Sequence, residues 1–177
     1  RFIHLSIPGP KGDWGSVVHI VLDDNGDLWV STTSTLVKLT FAAPFTGFEP
    51  PSFTTSWFGD GYATISRTRD GQLWGNFKEV TFRITPKHGT PDVVDTIGMI
   101  DFDNAIDHFG ALTVVEDTIR NKVYGIYNNG IAEVDPRTGE ITYLISDQKE
   151  LIRDQRELGW LQSLNPVIDR KGMMWLS

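Results

Sequence analysis

The sequence predicts an all-β fold of repeated four-stranded antiparallel units, and three observations carry that expectation. The stretch "VVHIVLDDNGDLWVSTTSTLVKLT", Val17 to Thr40, returns in outline as "ATISRTRDGQLWGNFKEVTFRIT" from Ala63. Each copy has an alternating apolar run, a turn containing Asp and Gly, a Leu-Trp pair and a second alternating run. Next, two landmarks recur together. The aromatics Trp29, Trp74, Tyr124 and Trp175 stand 45, 50 and 51 residues apart, and Gly15, Gly61, Gly110 and Gly159 precede them by 14, 13, 14 and 16 residues. Finally, helical periodicity is nearly absent outside Lys149 to Leu158.

The elements follow in chain order. "SVVHIVLD" and "ALTVVED" are rich in β-branched residues and bounded by turn formers, so they read as first strands. Asn25-Gly26, Asp70-Gly71, Arg120-Asn121 and Lys171-Gly172 then supply hairpin turns, because Gly and Asn tolerate positive φ. Second strands come at "DLWVST", "QLWGN", "KVYGIY" and "GMMWLS", and third strands at "TLVKLT", "EVTFRIT" and "GIAEVD". Fourth strands fit "SFTTSWF", "PDVVDTI" and "EITYLIS".

Four antiparallel strands per unit of this length is the pattern of a β-propeller blade. One twisted sheet cannot cover both of its faces, so blades stack radially and each shields the next. The units fall at about 15–58, 61–97, 110–146 and 159–177, after an outer strand at 1–7 contributed by "RFIHLSI". The expectation is one domain forming an arc of about three and a half blades, within a larger propeller or completed by association. A propeller of four to eight blades is closed, whereas an arc exposes apolar end faces. The competing reading is a small irregular β-sandwich with coincidental repeats.

Composition removes several function classes. The apolar share of 40% and charged share of 22% suit a globular domain of 177 residues. A net charge of −7 with no basic cluster argues against nucleic acid. Lys149 to Arg156 is interleaved with acids and reads as a solvated face. With no cysteine, disulfides, thiolate catalysis and Cys-ligated zinc are all excluded. No apolar run is long enough for a membrane helix, so no membrane insertion by this segment is expected. Gly-x-Ser-x-Gly, HExxH and a glycine-rich phosphate loop are missing as well.

"VVHIVLDDNGDLWVSTTSTLVKLT" and "VIDRKGMMWLS" resemble the propeller repeat of extracytoplasmic sensor regions in two-component regulators. Streptogramin-lyase-like and gluconolactonase-like propellers share its turn-apolar-Trp signature. The likeness is strongest over Asp23 to Thr32, and thinner over Asp117 to Tyr124. The usual Thr-x-x-Gly-Leu continuation is approached only by "NNGIAEVD". The resemblance implies a propeller with a sensor or binding role outside the cytoplasm, periplasmic or extracellular.

Propeller sites sit where loops enter the first strand and leave the second. The entry segments "GPKGDWG", "WFGDGY", "IDFDNAIDHFG" and "RDQRELGW" bring Trp14, Phe58, Tyr62, Phe109 and Trp160 to that mouth. There they would stack on a carbohydrate or other small molecule, or else plug the spaces between blade tops. Asp101 and Asp103 could offer oxygen ligands to Ca²⁺ or Mg²⁺, or belong to a solvated acidic loop. His108, beside them, is the candidate general base, while His19 reads as a strand histidine hydrogen-bonded between blades. His4 and His88 read as bland, and the hydroxyls of "STTST" as exposed strand residues. Three functions stay open: a binding or sensing module, a metal-dependent lyase- or lactonase-like enzyme, and a protein–protein scaffold. Its partners would be a small-molecule or carbohydrate ligand, or the remaining blades of a parent chain.

Overall fold

A computed structural model describes residues 15–43, 52–61, 63–77, 80–87, 92–99, 113–127, 130–138, 140–145 and 166–175. Every element among them is a strand. β1 (Val17–Leu22), β2 (Leu28–Thr32), β3 (Thr35–Phe41) and β4 (Phe53–Asp60) make sheet I in that order. β5 (Ala63–Arg67), β6 (Leu73–Phe77), β7 (Val80–Thr85) and β8 (Val93–Met99) make sheet II. β9 (Thr113–Asp117), β10 (Lys122–Tyr127), β11 (Gly130–Val134) and β12 (Ile141–Ile145) make sheet III, and β13 (Val167–Ile168) pairs with β14 (Met174–Trp175) in sheet IV. All neighbours run antiparallel, so each sheet is a meander.

The sheets stack by their inner strands. β1 lies against β5, β5 against β9 and β9 against β13, while β2 also touches β5 and β6 touches β9. Successive first strands side by side, with one meander fanning out from each, is the radial arrangement of propeller blades and not a two-layer sandwich. The chain is therefore an all-β propeller arc.

Register explains which side chains fill the joints. Val21, Trp29 and Lys38 are cross-strand partners on one face of sheet I, and Ile20, Val30 and Val37 lie on the other. The Trp29 face meets sheet II, where Trp29 and Leu36 share a core with Ala63, Ile65, Leu73, Phe82 and Ile84. On the opposite face of sheet II, Trp74 packs with Val114, Val123 and Val134 of sheet III. Gly75 makes room within sheet II, since a Cβ there would press on the Thr64 carbonyl and the Phe82 ring. The free face of sheet I gathers Val30, Val37 and Leu39 with Phe41, Phe53 and Trp57.

The turns have the chemistry the sequence suggests. Gly26, Gly71 and Gly172 take φ of 84°, 82° and 76°, and Asn121 does the same work at 55°. Two expectations need amending. β4 continues to Asp60, so Phe58 belongs to a strand and not to an entry loop; its ring centroid is 4.9 Å from that of Trp29. The hydroxyl run is mostly enclosed: Ser31 and Thr32 are fully buried and Thr35 nearly so, while Thr33 is exposed and Ser34 half-buried. Lys149–Leu158, the one helical pattern in the sequence, lies outside the described residues.

Candidate functional site

At one rim of the arc, the end of the strands where β2 turns into β3, the β2–β3 hairpin meets the segments entering β1 and β5. Thr32 Oγ1 accepts the N–H groups of Ser34 at 3.1 Å and Thr35 at 3.0 Å, and donates to the Thr35 carbonyl at 3.2 Å. This side chain organises the hairpin without help from a glycine. Thr33 N–H donates to the Ser16 carbonyl at 2.9 Å, and Ser16 N–H returns a bond to Thr33 Oγ1 at 3.0 Å. From the other side, Gly61 N–H donates to the Ser34 carbonyl at 2.7 Å. Gly15 passes so close to Thr33 that a Cβ would collide with the hydroxyl, and its φ of 62° favours glycine in any case. Gly15 and Gly61 thus mark where the segments entering β1 and β5 cross the same β2–β3 hairpin.

His19 lies one row below this hairpin, opposite Ser31, whose Oγ accepts the His19 backbone N–H at 3.1 Å. The imidazole is half-buried on the face toward sheet II. Its Nδ1 is buried and has no hydrogen-bond partner, so the expected hydrogen bond between blades is not made by that atom. Burial pushes the His19 pKa below its ordinary value, which keeps the ring neutral.

The opposite rim, where each first strand turns into the second, carries a device that sequence reasoning missed. Asp23, itself buried, accepts from Asn25 N–H at 2.9 Å and Asp27 N–H at 3.0 Å through Oδ1, and from the Trp29 indole at 2.9 Å through Oδ2. Asp169 repeats this with Lys171 N–H at 2.8 Å, Met173 N–H at 3.0 Å and the Trp175 indole at 3.1 Å. Those bonds hold the Asp169 carboxyl below the usual carboxylate range, Met173 N–H first. The readable signal was an Asp six residues before each of these Trp residues. Sheet II has Thr68 at this position, bonded to Asp70 Oδ1 at 2.7 Å and to the Gln72 carbonyl at 3.0 Å. In sheet III burial alone would raise the Asp117 carboxyl. The Arg120 guanidinium at 2.7 Å and the N–H groups of Arg120 and Ile119 outweigh that and hold it low.

A second device ties neighbouring sheets. Lys38 is buried, sits 5.3 Å from the Trp29 ring centroid, and pairs with Asp27 at 3.0 Å and Asp92 of sheet II at 2.8 Å. Burial would lower its pKa, but the two carboxylates, Asp92 first, raise it above the ordinary value. In sheet II, Arg83 stands 5.6 Å from the Trp74 centroid, pairs with Asp95 at 2.9 Å and donates to the Pro136 carbonyl of sheet III at 2.5 Å. The turns are tied too: Arg67 pairs with Asp24, Arg69 N–H donates to Glu116 at 2.6 Å, and Arg120 donates to the Gly172 carbonyl at 2.7 Å.

Of the sequence-predicted site residues, Phe58 packs on Trp29. Trp14, Tyr62, Phe109, Trp160, Asp101, Asp103 and His108 lie outside the described residues, as do His4 and His88. Among the described residues no group of three His, Asp or Glu side chains could hold a metal ion.

No protein-family model matches the chain, and no curated protein matches it. Among the solved structures similar to it are two of the extracellular domain of BT4673 from B. thetaiotaomicron. One is described as a one component system, with 17% identity over 93% of this chain and a TM-score of 0.41. The other is described as a hybrid two component system, with 17% identity over 94% of this chain and a TM-score of 0.43. The chain spans 28% and 29% of their lengths, under a third of each.

Proposed function

We propose that this chain is an extracytoplasmic ligand-binding or sensor-type propeller module that takes a carbohydrate or another small molecule at the mouth of the arc. The observation that carries the reading is the Thr32–Thr35 hairpin, held by its own hydroxyl and fastened to both flanking entry segments through Ser16 and Gly61. The hairpin amides are spent on these internal bonds, so the rim supports the reading as a rigid frame beside entry segments rich in aromatics, with the exposed Thr33 side chain left to meet a ligand. Trp14, Tyr62, Phe109 and Trp160 are the proposed stacking residues. Phe58 is left out because its ring packs on Trp29. The resemblance of the repeats to sensor-region propellers supports a periplasmic or extracellular location.

A glycan array probed with the chain, followed by titration of each hit, tests the reading. Saturable binding that falls at least tenfold in Trp14→Ala or Trp160→Ala, with melting behaviour unchanged, supports it. Binding to no glycan, or binding indifferent to both substitutions, removes the carbohydrate reading. Stabilisation by millimolar Ca²⁺ or Mg²⁺ that Asp103→Ala abolishes would favour the metal-dependent enzyme instead.

A further inference from the structure

Three of the sheets carry an aspartate two residues past the first-strand partner of the aromatic, and sheet II breaks the rule beside a cleft. Asp23, Asp117 and Asp169 follow Val21, Val115 and Val167, which pair with Trp29, Tyr124 and Trp175. In sheet II the partner of Trp74 is Ser66, and the residue two further on is Thr68. The Trp29 indole donates to Asp23 Oδ2. The same reach from Trp74 ends at Thr68, which has no carboxylate and whose Oγ1 already donates to Asp70 Oδ1 and the Gln72 carbonyl. Trp74 is 1% exposed, yet among the described residues nothing accepts its indole N–H. Thr68 and Trp74 both line an open cleft of about 260 Å³ between sheets II and III, at the rim where first strands turn into second ones. Asp70, Glu116, Asn121 and Lys122 complete its polar wall.

These walls select a ligand by what each group still has to offer. Asp70 takes two bonds through Oδ1, and Glu116 accepts the Arg69 N–H through Oε2. That leaves Asp70 Oδ2 and Glu116 Oε1 without a protein donor among the described residues. The Lys122 ammonium is held by Glu133 at 2.6 Å, while the Asn121 side-chain amide keeps its donors and its acceptor. An anion here would face two carboxylates, and a cation would face the indole donor. A neutral hydroxyl accepts from the indole N–H and donates to a carboxylate, so it meets both demands at once. We propose that this cleft binds one hydroxyl-bearing edge of a neutral carbohydrate or polyol, through the Trp74 indole N–H, the Asp70 and Glu116 carboxylates and the Asn121 amide. At about 260 Å³ the cleft falls just below the pockets of about 300–1,000 Å³ that enclose whole small ligands, so the rest of the molecule stays in solvent. The site lies at the rim opposite the mouth, uses none of the residues proposed there and is independent of that reading.

Nuclear magnetic resonance of the indole N–H groups tests this, with glucose as the neutral probe and acetate and methylammonium as the anionic and cationic ones. Trp74→Phe identifies the Trp74 signal. Glucose should move that signal saturably at millimolar concentration, and the two ions should not. Thr68→Asp combined with Asp70→Asn copies the Asp23 and Asn25 pair of sheet I and supplies the missing acceptor from within. Glucose affinity at the Trp74 signal should then fall at least tenfold with the fold intact. Trp14→Ala and Trp160→Ala should leave the glucose shift unchanged, so failure at the mouth and failure here are read separately. No saturable shift with glucose, a shift driven by either ion instead, or a shift lost in Trp14→Ala or Trp160→Ala overturns the proposal. Glucose binding that survives the double substitution overturns it as well. Should the double variant lose its β-sheet circular dichroism, Asn121→Gly decides, since register sets Asn121 where sheets I and II carry Gly26 and Gly71 at similar φ. Affinity at the Trp74 signal must fall at least threefold in that variant, and unchanged affinity refutes the site.

Discussion

Asp23 and Trp29 are joined by a 2.9 Å hydrogen bond from the indole to Oδ2, while the second carboxylate oxygen holds the turn between them. One side chain thus fixes the hairpin and aims the aromatic into the joint with sheet II. The same triple bond set at Asp169 and Trp175 shows that it belongs to the repeat and not to one blade. Burial differs, since Trp29 is enclosed and Trp175 is open.

That contrast makes a prediction. Asp23→Ala leaves the Trp29 indole N–H buried without a partner, and an orphaned buried donor costs about 1–3 kcal/mol; the lost turn bonds put the expected loss near the top of that range. In Asp169→Ala water replaces the carboxylate at an exposed indole, so the loss should be much smaller. Urea denaturation of both variants at constant m checks the ranking, and equal losses would mean that burial does not set the value of the clamp.

Lys38 gives the second prediction. Lys38→Met strands two buried carboxylates, Asp27 and Asp92, and breaking a buried ion pair in this way costs about 3–5 kcal/mol. The triple change Lys38→Met, Asp27→Asn, Asp92→Asn removes the unpaired charges and should recover most of that loss. Chemical denaturation reads both. A single variant as stable as the parent would show that the cluster is solvated in solution.

Much of the architecture was legible because its causes are local. Period-two alternation named the strands, and Asn25-Gly26, Asp70-Gly71, Asn121 and Gly172 named the turns, since positive φ is a property of single residues. What escaped depends on groups brought together from distant strands. Lys38 and Asp92 lie 54 residues apart, and nothing in "TLVKLT" shows that its lysine is enclosed over a Trp ring. The hydroxyls of Ser31, Thr32 and Thr35 were misread for the same reason: polarity implies exposure unless local bonds satisfy the groups, as Thr32 satisfies its own hairpin. Phe58 was assigned to the mouth because strand ends are poorly marked in sequence, and β4 carries two further residues past it.

Gly15 supplies the third prediction, at the mouth. Gly15→Ala must adopt φ near 62°, which costs about 1–2 kcal/mol for an L residue, and must also displace Thr33. The reciprocal bonds between Ser16 and Thr33 should loosen, visible as faster amide exchange at Thr33 with little change at Trp175. Unchanged exchange at Thr33 would separate the glycine from the shape of the rim.

The last prediction concerns pH, and its sign follows from the His19 environment. Folding depresses the His19 pKa because burial disfavours the imidazolium, and Nδ1 has no partner to offset that penalty. The unfolded chain therefore takes up this proton at a higher pH than the folded one does. The stability contributed by neutral His19 is complete above the unfolded value of about 6.5 and declines as pH falls below it, levelling once the folded form also protonates. Lys38, with its pKa raised, acts at the other extreme: its contribution is full below the unfolded lysine value and is lost only as alkaline pH passes through the folded one. Asp169 and Asp117, held low, lose theirs only under stronger acid than His19 needs. A stability profile from pH 7.5 to about pH 5 should thus fall on the acid side, and His19→Phe should flatten the part that His19 contributes. Subtracting the variant's profile isolates His19 from the other histidines. If the difference curve is flat, the imidazole is as well solvated folded as unfolded, and His19 lies in water and not between two sheets.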